Sequence, residues 1–330
     1  MPRVQLVLRV SVSVLLVAWL ATKLDWPALG QVFAAADGRL LGAVMLASPL
    51  LVLMLAWRLQ LLLRTQGVTV PFVAVWRMTW AGQFFNTFLP GTTGGDVFKL
   101  YQIGRLAPQA RAEGAAAVVL DRLIALLALG ALALGAFVAE PAPGLQLLRQ
   151  GVAINRTAAL AATGLLIVGL TIFLLRRQLR GRAARILATV GEVATVARRS
   201  LRLNGVTAAV SALALATHLA NFFAVFLLAR ALHIDITFPQ TLLMMPVVLL
   251  VIMLPLTING HGLREVVMIG YFELMHIGGG PALASGRQIA VALSLVFVAN
   301  DLCCALPGGL WQLLAPSRGV ASAASAPASA

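Results

Sequence analysis

Charge is scarce in this chain. Asp, Glu, Lys and Arg make up 11% of its 330 residues, whereas 60% are apolar, and the mean hydropathy is +0.94. That balance cannot clothe a soluble domain, and it indicates an all-α polytopic membrane protein. Cysteine is nearly absent. Cys303 and Cys304 are the whole supply; adjacent and inside an expected span, they exclude a disulfide framework and a zinc site. Acidic residues are few as well, 11 against 25 basic ones, for a formal charge of +14. No basic module interleaved with aromatics is present to put that charge on nucleic acid, and arginine beside membrane spans has a simpler cause in the positive-inside rule. There is no Walker loop, no Gly-x-Ser-x-Gly elbow and no soluble nucleotide-binding domain. His218, His233, His261 and His276 lack metal-ligand spacing, so neither cofactor nor metal is expected. The first apolar run passes into Trp19 and Lys23 without a small-x-small cleavage site and reads as a retained helix.

What is there, against this background, is one polar and glycine-rich interruption, Leu89 to Arg105, LPGTTGGDVFKLYQIGR. Pro90 and the glycines Gly91, Gly94 and Gly95 do not continue a helix comfortably. Asp96 then opens a new amphipathic segment carrying Lys99 and Arg105. A second copy follows in LPLTINGHGLRE, where Pro255, Thr257, Gly260 and Arg264 echo Pro90, Thr92, Gly95 and Lys99. Both read Leu-Pro-x-Thr-x-x-Gly, with a cation at the same offset from the proline. At bilayer depth, irregular backbone is tolerated only where it is buried in protein or lines a wet cavity.

Spans are expected at about Val4–Ala21, Leu40–Leu55, Ala115–Val138, Ala158–Leu175, Val206–Leu228 and Arg287–Leu314. Phe72 to Leu106 reads as a hairpin broken at the first motif, and the run from Thr241 to His276 as its counterpart. The arm after Asp96 is too short to cross a bilayer of ~30 Å at ~1.5 Å per residue, so the hairpin enters and leaves on one side. A topology in which all four arms cross has the same parity, and sequence does not separate the two. With the N-terminus in the cytoplasm, most basic residues fall on cytoplasmic ends and loops, among them Arg58, Arg64, Arg77, Lys99 and the arginines between 176 and 202. Both termini are then cytoplasmic. The two halves share one plan with opposite orientation: an inverted-topology repeat with two opposed re-entrant hairpins. Repeat 1 is about residues 1–139 and repeat 2 about 155–315, in one transmembrane unit over 1–315. The small-residue tail, 316–330, is expected to be disordered. Apolar positions at helical spacing within 176–202 describe either a helix on an anionic membrane surface or a plain connector.

The motifs suggest phosphate chemistry. An arm that begins near mid-membrane presents unpaired N–H groups and the positive end of its dipole, close to Gly94, Gly95 and Lys99 in one hairpin and to Asn259, Gly260, Gly262 and Arg264 in the other. Asp96 caps its own helix, pairs with Lys99, or meets a cationic headgroup. Asp121 and Arg122 are either a structural pair bracing the first hairpin or part of a path. Glu265 neutralises Arg264 or acts as a proton-linked acid, and His261 is a polar lining residue. Asp301, beside Asn300, is expected to pack against other polar groups. Intramembrane charges need partners or water.

On the residues Pro90 through Lys99, Asp121-Arg122, and Pro255 through Glu265 with its Gly260-x-Gly262-x-x-Glu265 core, the sequence resembles the lysylphosphatidylglycerol synthase transmembrane-region family of flippase-like proteins. The resemblance implies a bacterial inner-membrane protein that moves a lipid or lipid-linked headgroup between leaflets. Its partners would be membrane lipids bearing phosphate, with a second copy of the chain or a lipid-modifying enzyme as the protein partner. No soluble aminoacyltransferase domain is expected after Ala330, which leaves an aminoacylated cargo open. The rival expectation is a membrane glycosyltransferase or its accessory subunit, with Asp96 as base or metal ligand. The Arg-rich cytosolic segment with its single Glu192 favours transport over catalysis.

Overall fold

The computed structural model describes residues 22, 25–88, 94–139, 205–253, 260–279 and 285–314. These residues are almost wholly helical and include no strand, only an isolated bridge between Ile234 and Gly279. Four stretches are long and apolar enough to cross a membrane: Gly38–Thr65, Pro108–Ala139, Gly205–Ala231 and Gly286–Gln312. They coincide with four of the six expected spans. The expected spans at Val4–Ala21 and Ala158–Leu175, the arginine-rich helix and the C-terminal tail lie outside the described residues.

The helices are α1 (Trp26–Ala35), α2 (Gly38–Ala47), α3 (Pro49–Thr65), α4 (Phe72–Phe88), α5 (Gly94–Leu106), α6 (Arg111–Ala139), α7 (Gly205–Ala231), α8 (Phe238–Met253), α9 (Leu263–Leu274) and α10 (Gly286–Leu314). Local chemistry sets several boundaries. Asp25 and Asp37 cap α1 and α2, their carboxylates accepting the Ala28 N–H at 3.1 Å and the Arg39 and Leu40 N–H groups at 2.9 and 3.1 Å. Pro49, without an N–H, separates α2 from α3. Pro246 and Pro307 lie inside α8 and α10.

Two short helix pairs sit between the long helices. In the first, the rings of Phe85 on α4 and Phe98 on α5 lie 4.7 Å apart. Gly82 and Gly95 let the two backbones touch: a methyl group added at Gly95 would overlap the Gly82 carbonyl. In the second pair, the Tyr271 hydroxyl near the end of α9 donates to the Gln240 carbonyl at the start of α8, at 2.8 Å. At its other end Gly260, with φ +76°, packs on Ile252 late in α8, so the two helices run antiparallel. At 17 and 13 residues in one pair, and 16 and 12 in the other, all four arms are shorter than the long spans.

Each pair leans on the long helix that closes the other half. Along α4 and α10, Arg77 stacks over Trp311 at 4.4 Å, the Trp80 indole donates to the Cys304 carbonyl at 2.6 Å, and Gly308 backs onto the Trp80 carbonyl. In the same way α8 packs along α6. Two apolar cores result. One joins α3, α4, α5, α6 and α7 through Leu59, Leu63, Val75, Ile103 and Val210. The other joins α1, α2 and the helices after α6 through Val32, Phe222, Met244, Phe272 and Phe297.

The glycine contacts give a direct test. Gly95→Ala and Gly308→Ala each push a methyl group into backbone and should destabilise the protein by about 1–3 kcal/mol. Gly130→Ala and Gly135→Ala, which meet open space, should leave thermal unfolding in detergent unchanged or slightly improved. Equal melting of all four variants would show that the two backbone contacts do not exist.

Candidate functional site

The first cluster of charge joins three helices. Arg58 of α3 holds Asp121 of α6 in a two-point contact, Nε to Oδ1 at 2.6 Å and Nη2 to Oδ2 at 3.0 Å, with both side chains nearly sealed from solvent. One residue further, Arg122 turns to another partner and donates from Nε to Asp96 Oδ2 of α5. Lys99, one turn along α5, completes the group with Nζ 3.7 Å from Asp96. Three cations and two carboxylates leave these five residues one positive charge in excess. Asp121 and Arg122 are therefore not a pair with each other: Arg122 ties α6 to the first hairpin through Asp96, whereas Asp121 ties α6 to α3 through Arg58. Asp96 stands between two cations, Lys99 and Arg122. Arg58, expected at a cytoplasmic end, belongs to the interior.

A second network surrounds the motif of the other half. Arg264 is 0% exposed. Its Nη2 meets Glu265 Oε1 at 3.0 Å and its Nε donates to Ser294 Oγ at 2.9 Å, while Ser294 donates to the same Glu265 oxygen at 2.6 Å. The Phe297 ring lies under the guanidinium at 5.2 Å, and His261 Nδ1 stands 3.5 Å from Nη2. Glu265 thus neutralises Arg264 within a closed, fully bonded group.

At both motifs the expected open helix N-termini are partly filled by the chain itself. The Gly95 N–H at the start of α5 is taken by Asn86 Oδ1 at 2.7 Å. The Gly262 N–H ahead of α9 is taken by Glu265 Oε2 at 2.6 Å. In each hairpin the chain supplies its own acceptor at the donor a phosphate would use. Lys99 and Arg264 also belong to different networks, so the structure does not join them on one anion. Pro90, Thr92, Pro255 and Asn259 lie outside the described residues. Gly94 opens α5 in a half-buried position.

Between these networks is a cavity of about 280 Å³. It is bordered by α2–α3, α4, α6, α7, α8 and α10, with polar side chains from Gln83, Asn86, Arg122, His218, Asn221 and Asp301 among others. The last turn of α4 (Gln83, Asn86, Thr87) and the last turn of α8 (Leu249, Ile252, Met253) border the same space. In sequence, each leads directly into one of the two motifs. The model of the lysylphosphatidylglycerol synthase TM region matches residues 6–299. The chain belongs to that family. No curated protein matches it. Like the long helices, membership makes it a multi-pass membrane protein.

For this family member, sequence reading found Asp96, Lys99, Asp121, Arg122, Arg264 and Glu265. It missed Arg58, Ser294, His218 and the polar turn Gln83–Thr87 as members of these networks and of the cavity wall. Arg58 carried a usable signal, since Arg58 and Asp121 are charges of opposite sign within apolar runs. Ser294 carried none. Among the described residues no three His, Cys, Asp or Glu side chains gather as a metal site.

The Arg58–Asp121 contact makes a quantitative expectation. Removing one partner strands a buried charge and costs about 3–5 kcal/mol. Arg58→Met and Asp121→Leu should each sharply reduce folded protein in membranes, whereas the double variant should recover most of it. Additive losses in a double-mutant cycle by thermal unfolding would contradict the pairing.

Proposed function

We propose that this protein is a flippase or scramblase that moves a phosphate-bearing lipid, or a lipid-linked headgroup, between the leaflets of a bacterial inner membrane. Membership ties the chain to membrane lipid metabolism or transport. The observation that carries the reading is the shared cavity. The first arms of both short helix pairs end on one largely apolar chamber that carries a set of polar side chains, and Arg122 borders it. That arrangement supports an inverted-topology repeat whose re-entrant hairpins meet at the midplane, with both termini in the cytoplasm. The chain acts by binding and conformational change, without chemistry on the lipid.

Arg122 is the cation suited to the headgroup. It borders the cavity and its side chain is 34% exposed, against 11% for Lys99. A lipid phosphate would replace Asp96 as its partner, and Lys99 would keep Asp96 neutralised meanwhile. The positive excess of the cluster favours an anion there. Arg264, sealed by Glu265 and Ser294, holds the second hairpin instead of the cargo. The Asp96 environment, two cations within ion-pair reach, suits an exchangeable anion contact better than a metal ligand.

Purified protein in liposomes carrying a fluorescent phospholipid tests this directly. A charge-assisted contact is worth about 1.5–3 kcal/mol, so Arg122→Ala should slow leaflet exchange about tenfold or more, 1.4 kcal/mol being a factor of about ten. Arg122→Lys should be milder, and Lys99→Ala intermediate. Wild-type exchange by folded Arg122→Ala would remove the headgroup site. Orientation has its own test in a background with Cys303 and Cys304 replaced by serine. A cysteine at Ala36 should label from the periplasm and one at Thr69 only from the cytoplasm; labelling of both from one side would overturn the topology.

A further inference from the structure

The α10 wall of the cavity differs in kind from the Arg122 wall. Asn300 is 3% exposed and borders the cavity, yet its Oδ1 has no hydrogen-bond partner. Buried side-chain polar atoms nearly always have one. Asp301, next along the helix, borders the same cavity. Among the described residues its carboxylate makes no hydrogen bond or ion pair. Sequence reading expected Asp301 to pack against other polar groups; it faces the cavity instead. Two acceptors without donors, side by side in a membrane-spanning helix, call for a positively charged ligand, because an unanswered carboxylate at this depth is costly.

Among the described residues no fixed cation fills that role. Arg264 of α9 acts on Asp301 electrostatically but is spent on Glu265 and Ser294. Arg122 of α6 is engaged by Asp96, and Arg58 of α3 by Asp121. On α4, Arg77 stacks on Trp311. From α7, the His218 ring nitrogen Nε2 is hydrogen-bonded to the Ala125 carbonyl at 3.0 Å. The α8 wall is apolar, and the α10 neighbours Cys303 and Cys304 are thiols. The last turns of α4 and α8 add the partial negative charge of their carbonyl ends, and Asn221 and Thr217 supply further oxygens on the facing wall.

We propose that Asn300 and Asp301 form a binding site for a small exchangeable cation, a proton or a sodium ion, on the α10 wall of the central cavity. A sodium ion would be coordinated by Asn300 Oδ1 and the Asp301 carboxylate together; a proton would reside on Asp301 alone. Either neutralises the wall that faces the anion site. If the transport reading holds, this cation is the charge that travels with, or against, the headgroup and supplies the driving gradient.

The site is testable without any lipid movement. Full-length protein in nanodiscs is titrated by infrared difference spectroscopy, with bulk pH as one variable and sodium chloride against choline chloride as the other. The proton form predicts a protonated-carboxyl stretch that disappears as pH rises regardless of sodium. The sodium form predicts a carboxylate band that shifts with sodium, together with a sodium-dependent rise in melting temperature that Asn300→Ala weakens. Asp301→Asn should abolish whichever signal the wild type shows, and Asp301→Glu, with its longer stem, should move its position or midpoint. Absence of both signals in the wild type, or their persistence unchanged in Asp301→Asn and Asp301→Glu, would overturn the site. Liposomes that fail to exchange lipid while these signals are present would sink the transport proposal and leave the cation site standing.

Discussion

Inside the hydrocarbon layer an ionised side chain has no water to answer it, and each charge left alone costs about several kcal/mol. The polar architecture of this protein follows from that constraint. Arg58 and Asp121 close on each other with two contacts. Arg264, wholly buried, is met by Glu265, Ser294 and the Phe297 ring together. Backbone groups obey the same rule. Where the helix pairs break, Asn86 and Glu265 reach the first free N–H of the next arm. The glycines serve this end too, since only the bare backbone at Gly82 and Gly95 brings α4 and α5 close enough for the Asn86 side chain to make its bond.

Much of the fold was legible because long apolar runs have one structural solution in a bilayer. The spans near Leu40, Ala115, Val206 and Arg287 appear as long helices, the first running on about ten residues past Leu55 to Thr65. The site was less legible, for reasons that are physical. Arg58 follows an apolar run and so looks like a boundary arginine, but α3 continues to Thr65 and carries it inside. Asp121 and Arg122 are neighbours in sequence and invite pairing, yet consecutive residues on a helix point ~100° apart, and each finds a partner on a different helix. The open N-termini are partly filled, because one of the chain's own side chains takes one N–H of each arm. A motif shows where a helix breaks; it does not show which side chain fills the break.

The echo between the motifs also conceals a division of labour. Lys99 and Arg264 hold the same place in the two copies, and both stand beside a carboxylate. In the second half that carboxylate is the next residue, and a serine from α10 locks both groups into a closed ring of bonds. In the first half the carboxylate is Asp96, shared with Arg122 across a helix interface. A ring completed within α9 and α10 keeps its partners when other helices move. A carboxylate shared between α5 and α6 can give up one of its cations to another anion if those helices shift.

Summing the charges of these networks leads to the last step. Arg58, Lys99, Arg122 and Arg264 are matched in number by Asp96, Asp121, Glu265 and Asp301. The match is not local: the first cluster keeps one positive charge in excess, and among the described residues Asp301 on α10 makes no hydrogen bond or ion pair. Both border the same 280 Å³ cavity, so its α6 and α10 walls carry opposite residual charge in a medium that screens poorly. Such a cavity favours joint occupancy, an anion against α6 and a cation against α10, because either ligand alone leaves the field of the other wall unanswered. A phosphate headgroup and a small cation would satisfy both walls together, which would link the proposed lipid site and the proposed cation site through electrostatics, without requiring contact between Arg122 and Asp301.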